Sequence, residues 1–90
     1  MNLIDRQQAL ALGRGLRLDW APQKGCHVLL YAGGIIELNA SAGWVLELLD
    51  GHSTVATVID RLAQRFPDVP ELEEDVLAFL EVARAKSWIE

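Results

Sequence analysis

The hydrophobic period changes once along this chain, and that change constrains the fold more than any other feature. Between Leu16 and Asn39, apolar residues alternate with polar ones or form short runs, as in β-strands. After Asn39 they recur at every third and fourth position, as in amphipathic helices. The sequence therefore predicts strands first and helices second, in an α+β arrangement around one core.

Three segments of the first half have the length and pattern of strands. Leu16–Trp20 alternates apolar and polar residues. His27–Ala32 is a continuous apolar run, typical of a central strand covered on both faces. Ile35–Asn39 follows Gly33-Gly34, a pair that permits the positive φ of a primed hairpin turn. We predict a three-stranded antiparallel sheet with the apolar run in the middle.

Three helices are predicted in the second half. The candidate N-caps are Asn39 or Ser41 for the first helix and Ser53 or Thr54 for the second. The first helix should extend through Asp50, with Gly51 in the left-handed conformation, and the second should end at Pro67.

The third helix has the clearest signals at its start. Asp68 and Glu71 stand at capping-box spacing, with Pro70 in the first turn. A three-stranded antiparallel sheet followed by three helices resembles a winged helix-turn-helix with the sheet placed first. We assign residues 1–13 to an N-terminal arm and residues 14–90 to a single domain.

Composition narrows the class of protein. One Cys forms no intramolecular disulfide, and the longest nearly apolar run, Val28–Ile36, is too short to span a bilayer. No basic segment followed by an apolar one marks a secretory signal. We therefore expect a cytoplasmic protein with no membrane partner.

Charge argues against a nucleic-acid partner. Residues 46–90 carry ten acidic and four basic side chains, so the predicted helices are the acidic half. A nucleic-acid-binding protein needs a basic surface to neutralise phosphates. A winged-helix nucleic-acid-binding domain therefore stays only as the alternative function.

No constellation of residues suggests catalysis or metal binding. Cys26 and His27 are neighbours in a predicted strand, so their side chains should point to opposite faces. No Ser-His-acid pattern and no metal-binding spacing occurs. We expect no enzyme, no cofactor and no metal. Trp88 follows the last apolar turn, and a surface groove beside it is a candidate docking place.

The third strand, Ile35–Asn39, is predicted to lie at an edge of the sheet. It contains no Pro or Lys to block pairing with another chain, and only Glu37 supplies charge. Three outcomes remain open: the N-terminal arm or a loop covers this edge, another extended chain binds it, or two copies exchange a strand. The protein is thus expected to be a monomer or a strand-swapped homodimer.

Several motifs resemble the PqqD family, the peptide chaperones of pyrroloquinoline quinone biosynthesis, over residues 14–90. These are Val28-Leu29-Leu30-Tyr31, Glu37-Leu38-Asn39-x-Ser41-Ala42, Asp50-Gly51-x-x-Thr54-Val55, Leu72-x-x-Asp75-Val76-x-x-Phe79-Leu80 and Trp88-Ile89. The family often has Gly directly before this Trp, where the chain has Ser87.

The resemblance implies a non-catalytic chaperone that binds the precursor peptide PqqA and presents it to the radical-SAM enzyme PqqE. In the family the peptide adds as a strand beside the third strand, in a groove bounded by the third helix. The strand residues implied are Ile35, Ile36, Glu37, Leu38 and Asn39. From the helix we select Val76, Leu77, Leu80 and Arg84, because the apolar stripe there is wider than packing requires.

Overall fold

The structure, a computed structural model, describes residues 4–90. These residues form three strands followed by three helices: β1 Arg17–Ala21, β2 Cys26–Tyr31, β3 Gly34–Glu37, α1 Ala40–Glu47, α2 Val55–Arg65 and α3 Leu72–Ala85. The strands make one antiparallel sheet in the order β1-β2-β3. The predicted α+β fold, with its central apolar strand, is confirmed. Among the described residues no helix combines the length and apolarity needed to cross a membrane.

One row of apolar side chains runs across the sheet and joins it to the helices. Leu18 and Ile36 are both opposite Leu29 in the strand register, so the three side chains share a face. Leu29 is completely buried, and Leu18 and Ile36 pack against the same core. This face therefore lies against the helices, while Ile35 and Glu37 belong to the opposite face and are exposed.

Side-chain caps start the first two helices. The Asn39 carboxamide oxygen accepts a 2.8 Å hydrogen bond from the Ala42 N–H, and the Thr54 hydroxyl accepts one from the Thr57 N–H. Of the two candidates offered for each helix, Asn39 and Thr54 are the caps. The first helix stops at Glu47, three residues before the expected end.

The link between α1 and α2 is a tight polar turn. The Asp50 carboxylate accepts hydrogen bonds from the backbone N–H groups of Ser53 and His52, and these bonds lower its pKa to about 2. Gly51 has the expected positive φ, at 81°, and its N–H donates to the Leu10 carbonyl. The turn is thereby tied to the N-terminal arm.

The capping box predicted for the third helix is absent. Glu71 is the N-cap of α3 and makes no side-chain capping bond, while Asp68 and Pro70 lie in the turn before the helix. With Asp68 as the cap, Val69 would need helical angles directly before Pro70, which the proline ring disfavours. The helix therefore begins two residues after the proline.

The β2–β3 turn is displaced by one residue from the prediction. Tyr31 pairs with Gly34, so the turn consists of Ala32 and Gly33 and not of the two glycines. Neither turn residue has a positive φ, and only Gly34 does, at 148°. The turn is thus not of the primed type, and the glycine freedom is used at the first residue of β3.

The end of α3 has a left-handed residue although the chain has Ser there. Ser87 has a φ of 61°, the Trp88 N–H donates to the Ala83 carbonyl, and the Ser87 N–H donates to the Arg84 carbonyl. These two bonds are those of a Schellman motif. The motif turns the chain back so that Trp88 and Ile89 pack against the core.

We expect Ser87→Gly to stabilise the protein. A left-handed residue with a Cβ costs roughly 1–2 kcal/mol relative to glycine, part of which is offset by the greater freedom of glycine in the unfolded chain. The free energy of unfolding should rise by about 1 kcal/mol in urea titration. Ser87→Ala keeps the Cβ and is the matched control; stabilisation equal to that of Ser87→Gly would contradict the argument.

The N-terminal arm is built into the domain. Ala11 exchanges two backbone hydrogen bonds of 2.9 Å with Glu90, and the Gly13 N–H donates to the Trp88 carbonyl. Leu10 is only 1% exposed and belongs to the core. Residues 1–3 of the predicted arm lie outside the described residues. The rest of the arm makes no backbone hydrogen bond to β3, so residues 4–13 do not cover that strand.

Candidate functional site

The outer edge of β3 carries main-chain groups that the sheet does not use. The Leu38 N–H donates to the His27 carbonyl, and hydrogen-bonded pairs alternate along an antiparallel ladder. The main-chain groups of Gly34 and Ile36 are therefore hydrogen-bonded to β2. The N–H and C=O groups of Ile35 and Glu37 point away from the sheet. Within residues 4–90 no backbone hydrogen bond outside the sheet reaches these four groups, which we call the free edge.

The opposite edge, on β1, is less open to another strand. The same alternation points the main-chain groups of Leu18 and Trp20 outward. The Trp20 N–H is already bonded to the Asp19 carboxylate, at 3.1 Å, and Asp19 also forms an ion pair with Arg17. The β3 edge also carries an exposed ion pair, between Glu37 and Lys24, so the bonded Trp20 N–H is what distinguishes the two edges. An added strand would therefore find one more free backbone donor at β3.

A groove of about 380 Å³ opens beside β3, and we call it the Trp88 groove. It runs between the inner face of the sheet and the segment that follows α3. Its lining residues are Arg14, Leu16, Tyr31, Ile36, Lys86, Ser87 and Trp88. The groove thus brings apolar surface and two cationic side chains next to the free edge.

The glycines of the hairpin shape one wall of this groove. A Cβ on Gly33 would lie 2.5 Å from the Tyr31 ring, so the ring packs against the turn where a side chain would otherwise be. Tyr31 remains 44% exposed in this position. The hairpin therefore presents the accessible Tyr31 ring, at the end of β2, beside Gly34, the first residue of β3.

The structure divides the sequence-predicted site residues into two groups. Ile35 is 61% exposed, Glu37 and Asn39 are exposed, and Ile36 lines the Trp88 groove. Leu38, Val76 and Leu80 are buried in the core, while Leu77 and Arg84 are half-buried and line neither the Trp88 groove nor the cavity at the start of α3. The Asn39 side chain is engaged in capping α1. The strand residues thus come together at one edge, whereas the selected helix residues do not face it as a group.

Most groove residues were not selected from the sequence. Trp88 was expected beside a surface groove, and the structure places it in one. Arg14 and Leu16 precede β1, and the sequence pattern predicts Tyr31 in the central strand without indicating a role for it. Their signal was weak because three segments distant in sequence supply the lining. The β1–β2 register, which pairs Arg17 with Leu30, brings the first two of these segments together.

A second cavity, of about 430 Å³, lies at the other end of α3. Trp44 and Phe66 stack in its wall with ring centroids 4.5 Å apart, and the Arg65 guanidinium lies 5.3 Å from each ring. Leu72 and Phe79 of α3 complete the apolar surface. The cavity is therefore separate from the Trp88 groove, although Asn39, just after β3, reaches it.

The side chains of Cys26 and His27 point to opposite faces of β2. Cys26 and His27 occupy adjacent positions of β2, and the His27 ring packs edge-on against Trp20 with 5.0 Å between centroids. A Cβ on Gly43 would lie 2.4 Å from the His27 Nδ1, so α1 packs directly on this ring. Across residues 4–90 no group of three or more His, Cys, Asp or Glu side chains is arranged to hold a metal ion.

Known proteins are similar to this chain in sequence. The family model for coenzyme PQQ synthesis protein D (PqqD) matches residues 26–89. The chain is 94% identical over 90 residues to PqqA binding protein 2 of Pseudomonas putida, with both proteins fully covered. It is 49% identical to the PqqA binding protein of Pseudomonas aeruginosa, over the whole chain and 98% of that protein.

A solved structure extends the likeness to three dimensions. The solution structure of the PqqD part of Methylobacterium extorquens PqqCD, described as a stand-alone RiPP recognition element, matches with a TM-score of 0.78. The sequences are 31% identical, and the match covers 97% of this chain and 94% of the other. These names denote binding proteins and a recognition element rather than enzymes, as expected from the sequence. The chain belongs to the PqqD family.

Proposed function

We propose that this protein binds the ribosomal precursor peptide PqqA in pyrroloquinoline quinone biosynthesis and that the peptide adds as a strand to β3. The free edge carries this proposal: Ile35 and Glu37 offer two N–H and two C=O groups with no partner in the sheet. An extended peptide pairs with such groups and gains affinity from main-chain hydrogen bonds. The names of the related PqqA binding proteins supply the identity of the peptide.

The Trp88 groove would receive side chains of the bound peptide. Alternate residues of an added strand point to the two faces of the sheet, and the inner face at β3 opens into this groove. Ile36, Tyr31 and Trp88 supply apolar surface there. Specificity for the peptide would therefore come from the groove, and affinity from the free edge.

The peptide would then be presented to the radical-SAM enzyme PqqE. Presentation requires that part of the peptide leaves the chaperone surface, and β3 is only four residues long. A strand of this length pairs with a short segment of the peptide and leaves the remainder unbound. The chaperone would thus hold the peptide at one segment while the enzyme acts on another.

The test is a titration of isotope-labelled protein with PqqA, followed by addition of PqqE. We expect amide shifts at Ile35 and Glu37 and around the Trp88 groove, with smaller shifts in α1. A complex of the three molecules should then form at lower PqqE concentrations than with PqqA alone. Absence of PqqA binding would contradict the proposed function. Binding without a three-component complex would contradict presentation only.

A further inference from the structure

The Trp88 groove is cationic in a protein that is otherwise acidic. The chain has a net charge of −5, yet the two ionisable groups that carry charge in this groove are Arg14 and Lys86. Among residues 4–90, no acidic side chain lines it. A locally positive groove on a negatively charged protein favours a negatively charged ligand, because the two are electrostatically complementary.

Neither cation forms an ion pair with an acidic side chain in the described part of the chain. Within residues 4–90 the ion pairs to acidic groups are made by Arg6, Arg17 and Lys24, and not by Arg14 or Lys86. Both side chains are exposed at the groove. Their charge is therefore available to a ligand.

The fold holds the Lys86 ammonium close to the groove wall. Its Nζ lies 5.7 Å from the centre of the Trp88 ring, within the range of a cation–π interaction. The left-handed Ser87 between them turns the chain so that both residues line the same groove. An arriving carboxylate would meet a positioned ammonium beside an aromatic surface.

We propose that the Trp88 groove binds an acidic side chain of the precursor peptide, through Arg14 and Lys86, while the adjacent peptide segment pairs with β3. This inference rests on the proposed function and goes further by naming the chemistry of one peptide residue. The groove lies at the Tyr31–Gly34 end of β3, so the carboxylate also fixes the position of the peptide along the strand.

Charge reversal tests this proposal against a matched control. Lys86→Glu and Arg14→Glu should each weaken PqqA binding about fivefold, because a partly exposed attraction becomes a repulsion. Arg61→Glu makes the same change in net charge at an exposed α2 position that lines neither cavity and has no ion pair within residues 4–90. It should change binding less than twofold.

Peptide variants locate the partner of the two cations. Each acidic residue of PqqA is replaced singly by its amide, and the C-terminus is amidated in a separate peptide. With one of these peptide variants, Lys86→Glu should no longer weaken binding. This is coupling between the two residues in a double-mutant cycle. Coupling to the amidated C-terminus alone would overturn the proposal, because the carboxylate would then not be a side chain.

The remaining outcomes are also decisive. If Arg61→Glu weakens binding as much as Lys86→Glu, net charge and not the groove is responsible, and the inference fails. If the parent protein binds PqqA and both groove variants bind equally well, the inference fails while the proposed function stands. If the parent protein does not bind PqqA, the proposed function fails and the inference fails with it.

Discussion

Replacing Leu10 by Ala should destabilise the protein by about 2–5 kcal/mol, as much as a substitution in the centre of the core. Leu10 is 1% exposed, and its neighbours in the buried cluster come from the sheet, all three helices and the C-terminus. Removing its side chain leaves a cavity that the surrounding elements close only in part. Urea titration followed by circular dichroism measures the loss.

Two controls show whether the arm is part of the core. Leu80→Ala removes a completely buried leucine from α3 and should cost a similar amount. Gln7→Ala changes an exposed arm residue and should stay within about 0.5 kcal/mol of the parent. A cost below about 1 kcal/mol for Leu10→Ala would mean that the arm packs loosely in solution.

Replacing Glu37 by Pro should weaken PqqA binding about tenfold or more, while the domain stays folded. The Glu37 N–H points away from β2, so proline removes a donor of the free edge without breaking the β2–β3 ladder. Its ring also occupies the space that a paired strand would take. Leu38 is unsuitable for this test, because its N–H is bonded to His27 and its side chain is buried.

Glu37→Ala is the matched control for the proline variant. Both changes remove the 3.4 Å ion pair with Lys24, an exposed contact that adds little stability. Only the proline removes the backbone donor. The alanine variant should therefore bind PqqA within about threefold of the parent. Equal binding by the two variants would show that main-chain pairing at β3 does not hold the peptide.

The order of the elements could be predicted because each has a local signal. The period of two before Asn39 and the helical period after it depend only on nearby residues. The caps at Asn39 and Thr54 are equally local, since each side chain bonds to an N–H three residues ahead. The predicted capping box at Asp68 is wrong because Pro70 restricts the backbone angles of Val69, the residue before it.

The candidate site was harder to predict because distant segments build it. The N-terminal arm was hard to predict for the same reason. No periodic pattern surrounds Leu10, and backbone hydrogen bonds to residues near 54 and 90 hold the arm in place. The wide apolar stripe of α3 suggested an exposed surface, but Val76 and Leu80 are buried within the common core. A wide apolar stripe in the sequence is found both in a helix that is packed on two sides and in a helix with an exposed binding face, so its width alone does not distinguish the two.

The central claim is that a peptide strand pairs with the outer edge of β3, and amide hydrogen exchange with and without PqqA tests it most directly. In the free protein the Ile36 and Leu38 amides should exchange slowly, because they are bonded to β2, while those of Ile35 and Glu37 exchange rapidly. PqqA should slow exchange at Ile35 and Glu37 and leave the β1 edge unchanged. Saturation with PqqA that slows neither amide, or that slows exchange at the β1 edge instead, would contradict the account.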